Sequence, residues 1–142
     1  MTFDDLQKSI KKGNLKDIET ALDGGLDPNL CNKNGYTLLM LAAKTGNTAI
    51  GKLLIEHGAD LNVCTTFPRS SFQSSPLAVA AMSGKPSFVC LLLEKGASLD
   101  ASPHSGSFES YIEWLEKHTA VSTEQADNIR SVIRVEREKR VA

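Results

Sequence analysis

The side chains able to do chemistry are few in this chain, and their spacing limits what they can do. Histidines stand at His57, His104 and His118, and cysteines at Cys31, Cys64 and Cys90. An imidazole acts as a general base, or a thiol as a nucleophile, only with a partner group held in reach. No carboxylate or cysteine recurs at a recognisable spacing from His104 or His118. The motifs HExxH, GxSxG, GxGxxG and the phosphate-binding GxxxxGKS or GxxxxGKT are absent. His57 lies directly before Gly58 at the end of an apolar helical run, where a cationic ring suits the negative end of the helix. Asp17, Glu19 and Asp23 spread along a helix and read as a solvated face. These residues predict a chain that is not an enzyme, with no cofactor and no metal site.

The totals narrow the remaining classes. At 142 residues, with 41% hydrophobic and 23% charged residues and a formal net charge of −1, the chain is one domain or one short repeat array. Such a balance points to neither nucleic acid nor a membrane surface. The longest apolar run, "LLMLAA", is far too short to span a bilayer. "MTFDDLQKSIKK" lacks the apolar stretch of a leader, and three cysteines without a CxxC suit a reducing compartment, so the expected location is the cytoplasm.

The elements that must position any functional residue recur along the chain. Shifted by 33 residues, Gly13-Asn14 falls on Gly46-Asn47, Leu6 on Leu39, Gly25 on Gly58, Asp27 on Asp60 and Asn29 on Asn62. A second shift, of 38, carries Gly46 to Gly84, Gly58 to Gly96 and "TLLMLAA" onto "SPLAVAA". The five extra residues therefore lie between Asn62 and Ser75. Within each unit the pattern is a short helix with small residues (Ala42, Ala43), a Gly-Asn break, and a second helix with Ile50, Leu53 and Leu54 on one face. Asn47 is placed to cap that second helix, Pro86 to open its counterpart, and Gly58 and Gly96 to close them in a left-handed conformation.

A period of 33 residues signals a solenoid, and the run "NGYTLLMLAAKTGNTAIGKLLIEHGADLN" resembles the ankyrin-repeat family, over about residues 2–101. Repeats two and three are similar to small bacterial ankyrin proteins. The family's Thr-Pro-Leu-His tetrapeptide stands here as "TLLM" and "SPLA". The resemblance implies an all-α ankyrin-repeat solenoid of three repeats plus a degenerate helical C-terminal cap. Its parts are an N-terminal capping repeat at residues 1–33, repeat two at 34–66, repeat three with its extended loop at 67–101, and the cap at 102–142. In the cap, "FESYIEWLEKH" and "STEQADNIRSVIRVEREKR" read as helices, the latter opening on a capping box from Ser122 to Gln125. In such a stack Cys31 and Cys64 occupy equivalent places ~10 Å apart, beyond the ~7 Å reach of a disulfide.

The resemblance also implies a partner protein, bound by loop tips and by the exposed side of each repeat's first helix. Carried over by register, those positions are Lys33, Asn34 and Tyr36, then Lys44 and Thr45, then Met82 and Ser83. The long loop "VCTTFPRSSFQSS" joins them with Phe67, Arg69 and Phe72, residue types that anchor binding hot spots at about 2 kcal/mol each. Either phenylalanine could instead fold back between repeats. Trp114 poses the same choice between packing in the cap and facing a ligand. The basic helix end, Arg130, Arg134, Arg137, Lys139 and Arg140 with Glu138 placed to pair with Arg134, is a solvated face or a second docking site. The expected function is non-catalytic binding of a folded partner (a toxin or an enzyme) that it inhibits in the manner of an immunity protein. An adaptor subunit of a larger assembly is the alternative. With both ends capped, the chain is expected to be a monomer on its own.

Overall fold

Each helix starts and stops where the sequence supplies the chemistry for it. The computed structural model describes residues 2–32, 35–62, 65–66, 73–99 and 107–141, with backbone only at 65–66 and 73–74. Its helices are α1 (Phe3–Lys12), α2 (Leu15–Asp23), α3 (Leu38–Thr45), α4 (Thr48–Glu56), α5 (Pro76–Met82), α6 (Pro86–Glu94), α7 (Phe108–His118) and α8 (Thr123–Val141). The hydroxyls of Thr37, Ser75 and Ser107 accept from the backbone N–H three residues on, opening α3, α5 and α7. Asn14 and Asn47 do the same for α2 and α4. Lys85 makes no such side-chain bond, and Pro86 at the first position of α6 removes one of the donors that would need it. His57 is the cap residue of α4, and Gly58, at φ 96°, is the left-handed residue just after it.

These helices form two rows. The first-helix row packs α1 on α3 and α3 on α5, while the second-helix row packs α2 on α4, α4 on α6 and α6 on α8; α7 packs on α8. Leu6, Leu39 and Leu77, equivalent under the two shifts, are each no more than 1% exposed and run through all three repeats. Ala42, Ala43, Ala80 and Ala81 are fully buried, as their small size in a close helix contact requires. No single repeat could bury these faces alone, so the core exists only as a property of the stack. Between α4 and α6 the fit is tight: a Cβ at Gly51 would lie 2.5 Å from the ring of the fully buried Phe88.

The recurring Asp and Asn residues tie one repeat to the next. Asn29 Oδ1 accepts from the Asp60 N–H at 2.7 Å, and its amide donates to the Gly58 carbonyl at 3.3 Å. One repeat later, Asn62 Oδ1 accepts from the Ser98 N–H at 2.8 Å. Asp27 and Asp60 hold each Asn in place by accepting its backbone N–H at 2.9 Å. The longer connection between repeats two and three carries a short antiparallel ladder, β1 (Thr65–Thr66) against β2 (Gln73–Ser74).

The C-terminal cap is bound by its arginines. Ser122 and Gln125 form the expected capping box, and Gln125 Nε2 also reaches the Gly84 carbonyl at 3.2 Å. Arg137 grips both carboxylate oxygens of Glu109 on α7, Arg130 bridges Glu116 and Asp127, and Arg140 donates to Glu136 and to the Ala97 carbonyl at 2.6 Å. The helix end expected to be a solvated face or a docking site thus spends three arginines on internal contacts. The expected Glu138–Arg134 pair is absent from the ion pairs of the described residues; Arg140 pairs with Glu136 instead.

Two measurements check this packing. Gly51→Ala gains about 1 kcal/mol of helix propensity but forces the Phe88 ring to move, at a cost of about 1–3 kcal/mol. A net loss of stability in urea melts is expected, and a gain would contradict the Gly51–Phe88 contact. The Arg137 hydrogen bond holds the Glu109 carboxyl below its ordinary range. Its stabilisation is therefore complete above the unfolded value, and fades as pH falls through the lowered native one. Both side chains are 42% exposed, so solvent screening holds the pair to less than about 1 kcal/mol. Glu109→Gln is expected to be less stable than the wild type at neutral pH, the gap closing below the carboxylate range. A gap that widens on acidification would refute the assignment.

Candidate functional site

The first-helix row presents one exposed position at the same register in every unit. Lys44, Met82 and Trp114 each follow their helix cap (Thr37, Ser75, Ser107) by seven residues. Lys11 falls on Lys44 under the 33-residue shift. Lys11 and Lys44 are exposed, Met82 is 42% exposed and Trp114 is half-buried. Equivalent atoms on helices packed side by side stand about 8–10 Å apart, so Lys11, Lys44 and Met82 form a ridge across α1, α3 and α5, and Trp114 holds the same register on α7, which packs on α8. This register runs from basic at the N-terminal end to apolar and aromatic at the C-terminal end.

The aromatic end is built on α7. Tyr111, Trp114 and His118 recur at helical spacing and stack in series, with ring centroids 6.4 Å and 5.0 Å apart and planes within 11° and 18° of parallel. Below them Phe108 meets Tyr111 edge-on at 5.6 Å. His118 Nδ1 bonds the Trp114 carbonyl at 2.9 Å, fixing that ring against the indole. Burial, with the Tyr36 phenol nearby, pushes the Tyr111 hydroxyl up to about 12. Tyr36, from the loop before α3, is half-buried against the core and its hydroxyl is also pushed up by burial. Trp114 therefore packs in the cap with part of its surface and stays accessible with the rest.

Of the residues expected at a binding face, Tyr36 lies just before α3, Lys44 and Thr45 end α3, Met82 ends α5 and Trp114 lies on α7. Thr45 is exposed, though its hydroxyl donates to the Ala42 carbonyl at 3.0 Å. Lys33, Asn34, Phe67, Arg69 and Phe72 lie outside the described residues, as do Cys64 and His104. Lys8, Lys11 and Lys12 are not among the expected site residues, yet all three are exposed on α1. A signal for them exists: the shift that aligns the glycines also carries Lys11 and Lys12 onto Lys44 and Thr45.

The candidate chemical groups are in structural service. His57 Nδ1 bonds the Leu53 carbonyl at 3.0 Å and Nε2 faces Asp23 at 3.4 Å, and the Leu53 bond, then Asp23, raises its pKa. It serves the end of α4, as its position implies, and joins repeat two to repeat one. Asp17 accepts from the Ser9 hydroxyl at 3.0 Å. Burial and the neighbouring Glu94 push the Cys90 thiol up, away from the reactive thiolate. Among the described residues no three His, Cys, Asp or Glu side chains gather as metal ligands. No described helix is long and apolar enough to cross a membrane.

The comparisons with known proteins agree with this geometry. The family model described as ankyrin repeats (3 copies) matches residues 6–102. A putative ankyrin repeat protein of Rickettsia bellii is 33% identical over 119 residues, covering 66% of this chain and 48% of its own length. A putative ankyrin repeat protein of fowlpox virus is 43% identical over 51 residues, 36% of each chain. The Drosophila melanogaster ankyrin repeat and KH domain-containing protein mask is 39% identical over 75 residues, covering 53% of this chain and 2% of its own. The chain thus spans less than half the length of these relatives. On the match across 6–102 and the repeating helix pairs, the chain belongs to the ankyrin-repeat family, a family of protein-interaction modules with no general catalytic role.

Proposed function

We propose that the chain binds a folded partner protein along its first-helix ridge and inhibits it by covering the surface it seats. The observation that supports this is the exposed register-matched row ending in Met82 and in the stacked, half-buried Trp114. Exposed aromatic and methionine side chains that a partner can bury are among the places where binding energy concentrates. Phe67, Arg69 and Phe72 of the long loop belong to the same proposal by register, as do Lys33 and Asn34. An immunity or antitoxin-like role is the form of inhibition this reading favours, because a partner held in such a face loses access to its own substrates. The free thiols of Cys31 and Cys90 fit a reducing cytoplasm, the location we propose.

The adaptor alternative relies on the basic end of α8 as a second docking site. Arg130, Arg137 and Arg140 hold the cap together there, so that alternative rests on Arg134 and Lys139, which are exposed. For the same reason, deleting residues 130–142 would disturb the cap as well as any partner.

Met82→Asp is expected to weaken capture of the partner from a lysate of the source cells at least about tenfold, because it buries a charge at the contact. It should leave the helical circular dichroism and the melting midpoint unchanged. Lys52→Glu on the exposed side of α4 should leave capture intact. Loss of the partner in the Lys52 variant but not in the Met82 variant would place the binding face on the second-helix row and overturn the proposal.

A further inference from the structure

Charge is distributed unevenly between the two rows. The second helices expose both signs: Lys16, Glu19 and Asp23 on α2, and Lys52 and Glu56 on α4. The first helices of repeats one and two expose Lys8, Lys11, Lys12 and Lys44. No ion pair among the described residues includes any of these four. The acids of α1, Asp4 and Asp5, sit in its first turn, at the far end from Lys11 and Lys12, and Asp5 is engaged with Thr2 in a capping box. Lys8 alone is near enough to Asp5 to lower its pKa, behind the Thr2 hydrogen bonds that do most of it. Further along, Glu113 and Lys117 on α7 pair with each other at 3.0 Å and cancel. The contrast with α8 is instructive: there three arginines are paired with acids, whereas these four lysines are left for solvent.

Resting on the ridge as the binding face, we propose that its occupant is an acidic segment of the partner protein. Its Asp and Glu residues lie over Lys8, Lys11, Lys12 and Lys44, and an adjoining apolar residue packs on Met82 and Trp114. The ridge dictates the order as well as the sign. From Lys11 to Met82 there are two steps between neighbouring first helices, roughly 16–20 Å in all, with Trp114 beyond them on α7. An extended chain covers the stretch from Lys11 to Met82 in about five or six residues. The acidic half sits on repeats one and two, and the apolar half on repeat three and the cap. Unpaired lysines attract such a segment from a distance, with an association rate that falls as salt shortens the Debye length below about 10 Å. The apolar end then slows its release. A net charge of −1 over the whole chain hides this patch, because the compensating acids lie elsewhere.

Trp114 is the single tryptophan of the chain, so its own fluorescence reports on the apolar end of the ridge. The probe is a synthetic peptide of about twelve residues, with an Asp/Glu block at one end and Leu-Phe-Leu at the other. The full chain should bind it with a change in Trp114 emission, and about tenfold more weakly once salt screens the lysines. A peptide with Gln in place of every acid should bind at least about tenfold more weakly than the acidic one. The triple variant Lys8→Glu, Lys11→Glu, Lys44→Glu should lose the same factor. The milder triple change to Gln should lose part of it, and guards against a variant that does not fold. Equal binding of the acidic and neutral peptides, or undiminished binding by folded variants, would overturn the inference. So would tighter binding of a single-stranded oligonucleotide, lost in the same variants. The binding face itself is tested separately, by whether Met82→Asp, and not Lys52→Glu, weakens capture of the natural partner.

Discussion

Everything in this fold depends on repeat packing against repeat. A helix pair of some twenty residues cannot bury two faces by itself, and Leu6, Leu39 and Leu77 reach full burial only because each is sealed by the next unit. Such contact must also fix distance and register. Gly51 sets the distance between α4 and α6 by leaving room for the Phe88 ring, and the alanines of α3 and α5 do the same in the first row. Register comes from Asn29 and Asn62, whose side chains bond backbone groups of the following repeat. Each such bond is worth about 1 kcal/mol net. Their larger effect is directional, since an apolar contact alone would let neighbouring repeats slide.

The same constraint explains the two ends and the exposed ridge. An open stack has terminal faces, and this chain closes them differently. At the N-terminus α1 turns polar on its outer side, with lysines in three of its ten positions. At the C-terminus α7 and α8 are cross-linked by Arg137–Glu109 and Arg130–Glu116, and are fixed to repeat three by Gln125 on the Gly84 carbonyl and Arg140 on the Ala97 carbonyl. Along the outer side of α1, α3 and α5 the exposed lysines enter no ion pair among the described residues. There Lys11, Lys44 and Met82 lie at one register outside the core, with Trp114 at the same register half-buried in the cap, which is why these residues differ while the leucines beneath them do not.

Much of this is legible in the sequence, because the fold's rules act at short range. Glycines, caps and apolar spacing are local. The helix pairs, the N-cap at Asn47, the opening proline at Pro86 and the Ser122–Gln125 capping box therefore all follow from residues a few positions apart. The roles of the arginines on α8 do not. Arg137 finds its partner 28 residues away and Arg140 finds a carbonyl 43 residues away, distances at which charge spacing along one helix carries no information. Glu138 and Arg134 satisfy the helical i, i+4 rule, yet it is Arg140 that takes an acid, Glu136, in the same turn. Among the proposed binding residues, register places Lys44 and Met82, whereas Trp114 reads in the sequence as a choice between packing in the cap and facing a ligand. Register reaches Lys8, Lys11 and Lys12 only if α1 is aligned with α3 by its glycine, and the polar sequence of α1 reads first as a cap.

The proposed binding face is the first-helix row and not the second. Amide hydrogen exchange of the whole chain, free and bound to its natural partner, tests this without any substitution. The account predicts added protection at the C-terminal turns of α1, α3 and α5 and along α7 around Trp114, with α2 and α4 exchanging as before. Protection confined to α2, α4 or the groove between α6 and α8 would contradict it.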